Sequence, residues 1–334
     1  MRKPEPAMHP PLQRLMSRHA LPGVQYAFAV GGVLRVEECV GVADALGGVP
    51  LTPDTTFNLY SITKPFTARA VQRLAAQGHL TLETPIAQAA GEPALAGHGT
   101  VTQTLRHQAG FANPMPLRWT HRAADDARFD EPGFVRSQLA RAARRMPRPG
   151  RTAYSNIGYL ALGRAIERAT GLGFRDALRA LVLDALGLQP GETLGFAADD
   201  ATHAHGHLRR FGLLDLTLGL LADRREVVDA TDAQWVRLHH HRVNGSAYGG
   251  LIGNARGLLR AGQSLLAQRL VGFEGTLNGQ PWIGHAGGGL GHYGEWRVYP
   301  RSGAVSVLLT NRAGLRDRRW LDLLDPPTLT KEKS

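Results

Sequence analysis

A serine and a lysine three residues apart, Ser61 and Lys64, constrain this chain more than any other feature. On a helix, residues i and i+3 lie on one face with their Cβ atoms about 5–6 Å apart, so the hydroxyl and the amine can meet. A serine hydroxyl becomes an effective nucleophile when a base removes its proton. A lysine can be that base, because burial disfavours its charged form and lowers its pKa. The pair therefore predicts a helix that starts near Ser61 and a catalytic use of both side chains.

The residues on either side predict the same helix. A Pro-Asp turn at 53–54 precedes it, and Pro65 is tolerated in an opening turn, where the first N–H groups have no helical partner. Residues 67–77 are mostly good helix formers, and Gly78 can end the run. Ser61 would then lie at the N-terminal tip, where free N–H groups and the helix dipole favour the negative charge of an alkoxide.

The use of lysine strengthens this interpretation, since an isolated S-x-x-K match also arises by chance on solvated helices. The chain has 39 Lys and Arg residues, but only four are lysines, and Lys64 is the only one between Lys3 and Lys331. Arginine thus supplies plain positive charge in this chain. Arginine stays protonated in proteins, whereas lysine can lose its proton. The single internal lysine stands where a removable proton is needed.

Length and composition indicate a globular protein of one large or two closely joined domains. The chain has 334 residues, and 43% of them are hydrophobic. No apolar run reaches the ~18 residues of a membrane span, and the first residues lead into no apolar signal sequence. The single cysteine, Cys39, excludes an internal disulfide. We therefore expect a cytoplasmic protein with no membrane partner.

The formal net charge of +11 raises the alternative of a nucleic-acid surface. The arginines, however, are spread along the whole chain, and no dense basic block is interleaved with aromatic residues. We expect a solvated basic surface, a small-molecule substrate and no nucleic-acid partner. Anionic substrates can still gain from the positive field.

Alternating apolar residues predict strands at both ends of the chain. Residues 24–30 and 34–40 flank Gly31-Gly32, which is a two-residue hairpin signal, and residues 295–299 and 304–310 form a second strand pair. The segment between the two pairs carries apolar stripes with helical spacing. We expect an α+β fold in which helices flank an antiparallel sheet, with a helical domain inserted between its two halves. The predicted units are a discontinuous α/β domain (1–78 and 246–325), a helical domain (79–245) and a polar tail (326–334).

Histidines cluster in residues 200–245, which is the least legible part of the sequence. His203, His205 and His207 alternate and would share a face on a strand, and residues 239–241 are three consecutive histidines. Neutral imidazole is a common metal ligand, but no Cys, Asp or Glu is placed to complete a site. We expect solvated or hydrogen-bonded histidines, with no metal and no other cofactor.

Two further motifs follow the first in chain order: Tyr154-Ser155-Asn156 and His285-Ala286-Gly287. With S-x-x-K they resemble the serine β-lactamase and penicillin-binding-protein superfamily, whose signature is S-x-x-K, S-D-N and K-T-G. The variants are similar to its class C branch, which includes class C β-lactamases, D-amino-acid peptidases and family VIII carboxylesterases. The runs at 105–111, 149–159, 249–251 and 308–311 also match that branch. The resemblance covers about residues 20–312 and implies the β-lactamase/transpeptidase fold.

The resemblance implies a role for each motif residue. Ser61 would attack a carbonyl and become acylated, while Lys64 and Tyr154 would share the general base and acid work. Asn156 would hold a substrate amide or the lysine. The backbone N–H groups of Ser61 and Gly288 would form an oxyanion hole, where each donor is worth about 3 kcal/mol. The plain structural alternatives are a core tyrosine for Tyr154 and a helix cap for Asn156.

The departures from the family pattern bear on the substrate. His285 replaces a lysine and Ala286 a hydroxyl residue, and both of the replaced residues help β-lactamases to bind a carboxylate. Gly287 and its neighbours have no Cβ, so the backbone can approach an acyl group closely. These features favour a carboxylesterase-like serine hydrolase acting on a small neutral ester or amide. The alternatives are a β-lactamase or D-amino-acid peptidase, an acyltransferase with the same nucleophile, and a catalytically silent relative that binds a ligand.

Overall fold

The computed structural model describes residues 9–113, 119–143, 148–221, 223–266, 271–313 and 319–326. The strands in these ranges are β1 (Gly23–Val30), β2 (Val33–Asp44), β3 (Val49–Pro50), β4 (Phe57–Asn58), β5 (Thr120–Arg122), β6 (Leu194–Gly195), β7 (His207–Arg209), β8 (Val228–Thr231), β9 (Trp235–Leu238), β10 (His241–Val243), β11 (Ile252–Gly253), β12 (Phe273–Leu277), β13 (Gln280–Gly288), β14 (Tyr293–Tyr299) and β15 (Ala304–Thr310). The helices are α1 (Pro10–His19), α2 (Thr63–Ala76), α3 (Ile86–Ala90), α4 (Val101–Leu105), α5 (Glu131–Ala143), α6 (Asn156–Thr170), α7 (Phe174–Leu178), α8 (Leu213–Leu221), α9 (Arg224–Val227), α10 (Ser246–Gly249), α11 (Ala255–Leu265) and α12 (Leu321–Leu324). Among the described helices, none is both long enough and apolar enough to cross a lipid bilayer.

A seven-stranded antiparallel sheet joins the two ends of the chain, with strand order β12-β13-β14-β15-β1-β2-β3. The link is the pairing of β1 with β15, in which Val24 lies opposite Thr310. Gly31 and Gly32 have φ angles of +58° and +86°, which suits a tight turn between β1 and β2. The predicted hairpin and the predicted antiparallel sheet flanked by helices are both confirmed.

Alternation along β1 sends its side chains to two different cores. Tyr26 and Phe28 pack with residues of α1 and α12 on one face of the sheet. Ala27 and Ala29 belong to the larger core on the other face, which includes residues of α2, α6 and α11. Because successive side chains of a strand point to opposite faces, one hairpin supports both layers of helices.

The segment around Ser61 folds as its sequence predicts, with one addition. A 3₁₀ turn at Tyr60–Ile62 precedes α2, which runs from Thr63 to Ala76. Gly78 follows the helix with a φ of +77°. Ser61 therefore lies in the turn that leads into α2, and Lys64 lies in the first turn of the helix itself.

The interpretation of residues 79–245 as mostly helical is incomplete. The helices α3 to α9 are present, but β5 to β10 also lie in this segment, and β7, β9 and β8 form a small antiparallel sheet. Strands β8 and β9 are joined at Asp232, whose carboxylate accepts the N–H groups of Gln234 and Trp235 at 2.7 and 2.6 Å. Such an Asp turn between short apolar runs favours a hairpin over a helix. The domain boundaries at 78 and 246 stay a prediction, and residues 327–334 of the predicted tail lie outside the described ranges.

The histidines of this region do not share one strand. Of the three alternating histidines only His207 lies in a strand, β7; His203 forms an isolated bridge with Thr56, and His205 lies in irregular chain. The imidazoles are hydrogen-bonded, as expected: His203 Nδ1 lies 2.9 Å from Thr56 Oγ1, and the ring of His207 accepts the Ala45 N–H at 3.1 Å. Within the described ranges, no group of three or more His, Cys, Asp or Glu residues is arranged to hold a metal ion.

Strand β13 crosses close to the turn that carries Ser61. A Cβ added to Gly287 would lie 2.0 Å from the carbonyl oxygen of Leu59 and 3.1 Å from the nitrogen of Ile62. Real Cβ atoms do not approach backbone this closely, so only glycine allows the present separation of the strand and the turn. Gly287 therefore sets the distance between the two segments that bring Ser61 and Gly288 to one place.

We predict that Gly287→Ala forces β13 away from the Ser61 turn. The added methyl meets backbone atoms that cannot rotate aside, so the free energy of unfolding should fall by about 1–3 kcal/mol. Urea denaturation followed by circular dichroism measures this change. Gly173→Ala is the matched control, because its new Cβ would meet no atom within 4 Å. Equal stability of the two variants would contradict the proposed close contact.

Candidate active site

Two side chains from distant parts of the sequence converge on the hydroxyl of Ser61. Lys64 Nζ lies 2.8 Å from Ser61 Oγ, and the Tyr154 hydroxyl lies 2.7 Å from the same oxygen. Ser61 and Tyr154 are both partly exposed, so a substrate can reach them. The spacing of Ser61 and Lys64 predicted their contact, and Tyr154, which the family resemblance singled out, lies within hydrogen-bond distance of the same oxygen.

The amine of Lys64 is fully buried, with 0% of the residue exposed. Besides Ser61 it contacts two oxygens that can only accept hydrogen bonds, Asn156 Oδ1 at 2.8 Å and the Tyr248 carbonyl at 3.0 Å. Burial lowers the pKa of Lys64 well below the ordinary lysine value. The charged amine has three hydrogens and donates to all three oxygens, including Ser61 Oγ. When the amine is neutral it has two N–H bonds, which these two acceptors can use, and its lone pair can then accept from the Ser61 hydroxyl.

The start of α6 positions Tyr154 and Asn156. Ser155 is the N-cap of this helix, because its hydroxyl accepts the Gly158 N–H at 3.2 Å. The cap role therefore belongs to Ser155, and the amide of Asn156 is left to contact Lys64. The Asn156 N–H donates to Asn113 Oδ1 at 3.0 Å, which ties the helix start to the segment before residue 114.

His107 supports this helix start, a role that the sequence alone did not predict. Its Nδ1 accepts the Ser155 N–H at 3.1 Å, and its ring centroid lies 4.5 Å from that of Tyr154. Burial lowers the pKa of His107 to about 4, so the imidazole is neutral near pH 7. His107 also has a φ of +58°, an uncommon conformation for a residue with a side chain. The available signal was its place in the run at 105–111, which matches the family pattern.

His285 and the glycines after it line the site beside Tyr154, whose ring centroid lies 6.1 Å from that of His285. His285 Nδ1–H donates to the Ala286 carbonyl at 2.6 Å, and the ring packs on Phe273 with centroids 4.7 Å apart. These contacts hold the ring against the pocket wall. Gly288 is exposed and lies at the end of β13, next to the pocket.

Tyr60, directly before Ser61, has a left-handed backbone with a φ of +46°. For a residue other than glycine, such a conformation costs about 1–3 kcal/mol and persists only where other contacts hold it in place. The ring contributes to those contacts, because a Cβ at Gly289 would lie 2.3 Å from it. The sequence contains no sign of this conformation, since tyrosine does not favour it.

The site opens into a pocket of about 810 Å³. The charged residues in its lining, Glu295 and Arg297, are buried and form ion pairs, with Arg297 2.6 Å from Asp322 and 3.6 Å from Glu295. Large apolar and aromatic side chains contribute much of the wall: Tyr60, Val243, Tyr248, Phe273, Trp282, Leu290 and Trp296. The predicted site residues that line the pocket are Ser61, Tyr154, Asn156, His285, Gly287 and Gly288. Lys64, the remaining predicted residue, lies behind Ser61.

Comparison with known proteins gives concordant matches along the chain. The family model described as Beta-lactamase matches residues 12–325. Penicillin-binding protein 4 of Amycolatopsis lactamdurans is 30% identical over 331 residues, which cover 89% of this chain and 82% of that protein. Esterase EstB of Burkholderia gladioli is 30% identical over 172 residues, which cover 47% of this chain and 43% of that protein.

A solved structure shows the same fold. D-amino acid amidase from Ochrobactrum anthropi SV3, in complex with L-phenylalanine amide, matches with a TM-score of 0.71 at 20% identity and covers 95% of this chain and 96% of that one. The resemblance inferred from the three motifs is thus confirmed over nearly the whole sequence. On the family match and on its 30% identity to a relative of similar length, this chain belongs to the β-lactamase family of hydrolases.

Proposed function

We propose that this protein hydrolyses a small neutral ester or amide through an acyl-enzyme on Ser61. The observation that carries the proposal is the meeting of Lys64 Nζ and the Tyr154 hydroxyl on Ser61 Oγ, at 2.8 and 2.7 Å. A nucleophile with a base and an acid within hydrogen-bond reach is the arrangement that acyl transfer requires.

Lys64 takes the first proton in this proposal. Its two N–H bonds go to Asn156 and Tyr248, and its lone pair accepts the Ser61 proton as Oγ attacks the carbonyl carbon. The leaving alkoxide or amine then takes a proton from the Tyr154 hydroxyl, which Lys64 replenishes. In the second half, water attacks the Ser61 ester and gives a proton to the same basic groups. They pass it to Oγ as the C–Oγ bond breaks, which releases the acid.

The oxyanion that forms in each half is held by the N–H groups of Ser61 and Gly288. Both residues line the pocket, and the close contact of Gly287 with the Leu59 carbonyl supports their proximity. Such preorganised donors act where charge develops, in a site shielded from water.

The pocket favours a neutral, apolar acyl group. No lysine other than Lys64 occurs between Lys3 and Lys331, and His285 and Ala286 offer neither an ammonium nor a hydroxyl for a carboxylate. The arginine in the lining, Arg297, is ion-paired with two carboxylates. Aromatic side chains such as Phe273 and Trp282 offer apolar surface. An aliphatic or aromatic ester therefore fits better than an anionic penicillin.

Acylation by a β-lactam is the second candidate, because a relative that covers 89% of this chain is named a penicillin-binding protein. This reaction would use the same serine and the same base. It differs because the pocket would also have to bind the carboxylate of the β-lactam. Transfer of the acyl group to an alcohol instead of water is a further variant of the main proposal. The cytoplasmic location and the lack of a nucleic-acid partner stay predictions.

We predict that Ser61→Ala and Lys64→Arg each reduce turnover of an activated short-chain ester by about 1000-fold or more. Arginine matches the charge of protonated lysine but cannot lose its proton, so it cannot be the base. Initial rates with a nitrophenyl ester measure the effect, and intact mass should show a serine adduct in the wild type that Ser61→Ala lacks.

Ser137→Ala is the matched control, because Ser137 is exposed on α5 and lies outside the pocket lining. It should turn over the ester at the wild-type rate. Near-normal activity of Lys64→Arg would refute the base assignment. Adduct and turnover with a cephalosporin alone would favour the second candidate, and no adduct with ester, cephalosporin or a serine-reactive phosphonate would leave a ligand-binding relative.

We predict that kcat/KM rises with pH along an acid limb set by Lys64. Below its pKa the amine is charged and all three of its hydrogens donate, so no lone pair is left for the serine proton. Burial holds this pKa well below the ordinary lysine value, so the limb should be complete far below pH 10. Rates from pH 5 to 10, corrected with Ser61→Ala for alkaline hydrolysis of the ester, test this. A limb that appears only near pH 10 would show an ordinary lysine.

A further inference from the structure

We propose that Tyr60, His241 and His292 form a clasp that positions the oxyanion hole, by holding the segment before Ser61 against the loop that follows Gly288. The inference rests on the proposed function for its effect on rate. It also gives a role to two of the histidines that the catalytic groups leave unused.

The first half of the clasp is a pair of hydrogen bonds that link His241, the Tyr60 hydroxyl and the Leu290 carbonyl. Its hydroxyl donates to the Leu290 carbonyl at 2.6 Å, and the same oxygen lies 2.7 Å from His241 Nε2. A hydroxyl has one proton and the Leu290 carbonyl only accepts it, so we assign His241 Nε2–H as the donor to Tyr60 over this short distance. In this tautomer the longer contacts, Nδ1 with the His239 carbonyl at 3.3 Å and Nε2 with Asn58 Nδ2 at 3.4 Å, are not hydrogen bonds. His241 thus orients the tyrosine hydroxyl toward Leu290.

The second half is His292, which joins the same two segments from the other side. Its Nδ1 accepts the Asn58 N–H at 3.0 Å, and its Nε2–H donates to the Ala204 carbonyl at 3.1 Å. These partners fix one neutral tautomer of the imidazole. Gly289 N–H donates to the carbonyl of His292 at 3.2 Å, which closes the loop between them.

Burial keeps the clasp in one protonation state. Tyr60, His241 and His292 are 6%, 7% and 1% exposed. Burial lowers the pKa of His241 to about 4 and that of His292 well below its ordinary value. Both imidazoles are therefore neutral near pH 7, with the tautomers that the hydrogen bonds require.

The clasp acts on the residues next to the proposed oxyanion donors. Tyr60 precedes Ser61, and Gly288 precedes the loop that the clasp holds. An oxyanion donor works only when its N–H lies about 2.7–3.1 Å from the developing charge, so a small shift of either segment weakens transition-state binding. Ground-state binding in the apolar pocket depends much less on this alignment. Tyr60, His241 and His292 are thus positioning residues, which act through the backbone of their neighbours.

Tyr60→Phe tests the clasp, because it removes the hydroxyl and keeps the ring. We expect kcat with the activated ester to fall about 10- to 100-fold, with KM within about threefold of the wild type. Tyr26→Phe is the matched control: its hydroxyl also donates to a buried carbonyl, that of Leu324 at 3.0 Å, but it lies in the core on the other face of the sheet. Tyr26→Phe should lower the unfolding temperature and leave kcat unchanged.

Two variants of His241 separate hydrogen bonding from packing. Gln has an amide N–H that can replace Nε2–H as the donor to Tyr60, whereas Leu fills the space without a donor. We expect His241→Gln to keep kcat within about threefold, and His241→Leu to lose as much as Tyr60→Phe. Equal kcat losses in Tyr60→Phe and Tyr26→Phe, or wild-type kcat in Tyr60→Phe, would overturn the proposal.

Amide hydrogen exchange separates failure of the clasp from failure of the proposed function. In Tyr60→Phe, exchange of the amides in residues 289–292 should accelerate about tenfold or more, and Tyr26→Phe should leave it unchanged. If the wild type shows no Ser61-dependent turnover, the proposed function fails and exchange still decides whether the clasp holds the loop. If turnover is present and neither kcat nor exchange responds to Tyr60→Phe, the clasp alone is wrong.

Discussion

The site depends on the buried amine of Lys64. It has three oxygen neighbours but only two hydrogens when it is neutral. Lys64 is fully buried, and its Nζ touches a side-chain amide oxygen, a backbone carbonyl and the Ser61 hydroxyl. Burying a charge is costly, so the neutral amine is favoured, and the two carbonyl-type oxygens orient its lone pair. The contacts come from α6 and from the residue just before the Gly249-Gly250 pair. Three segments far apart in sequence must therefore pack correctly before the serine has a base.

Close approach of backbone to backbone is the second requirement of the site. Gly287 lets β13 lie against the Leu59 carbonyl, and Tyr60 accepts a left-handed conformation in order to turn the chain into Ser61. Strain of this kind persists only where the surroundings over-determine it. The hydrogen bond from the Tyr60 hydroxyl to the Leu290 carbonyl is one of the contacts that hold this conformation. The strained backbone of Tyr60 and its hydrogen bond to Leu290 therefore depend on the same packing of the turn against the glycine-rich loop.

The sheet explains why residues from both ends of the chain meet at this place. Because β1 pairs with β15, the hairpin at residues 23–44 and the strands at 273–310 form one surface, and α2 packs on it. The helices of the inserted segment close the other side and bring α6 to α2. The pocket therefore lies between the sheet and the insertion, where its lining combines the glycine edge of β13 with aromatic side chains.

Much of this architecture was predictable, because it depends on neighbours in sequence. The hairpin at Gly31-Gly32, the helix after Ser61 and the antiparallel sheet follow from turn chemistry and side-chain periodicity. The small sheet of β7 to β9 was missed, since its strands are only three or four residues long and lie beside helical stripes. The predicted site residues lie together around one pocket, while their individual roles stay a proposal.

The sequence by itself determined which groups are available: one internal lysine at helical spacing from a serine, a Tyr-Ser-Asn start to a helix, and a glycine-rich strand. The tertiary structure alone decided the partners that tune them, namely the Tyr248 carbonyl on Lys64, His107 on the Ser155 N–H, and His241 on Tyr60. The physical reason is that every residue has a backbone carbonyl, so residue type does not show which carbonyl accepts a hydrogen bond. Residue type also does not show whether a histidine is solvated or hydrogen-bonded to a turn. These contacts span 48 to 184 residues, so only the packed fold brings them together.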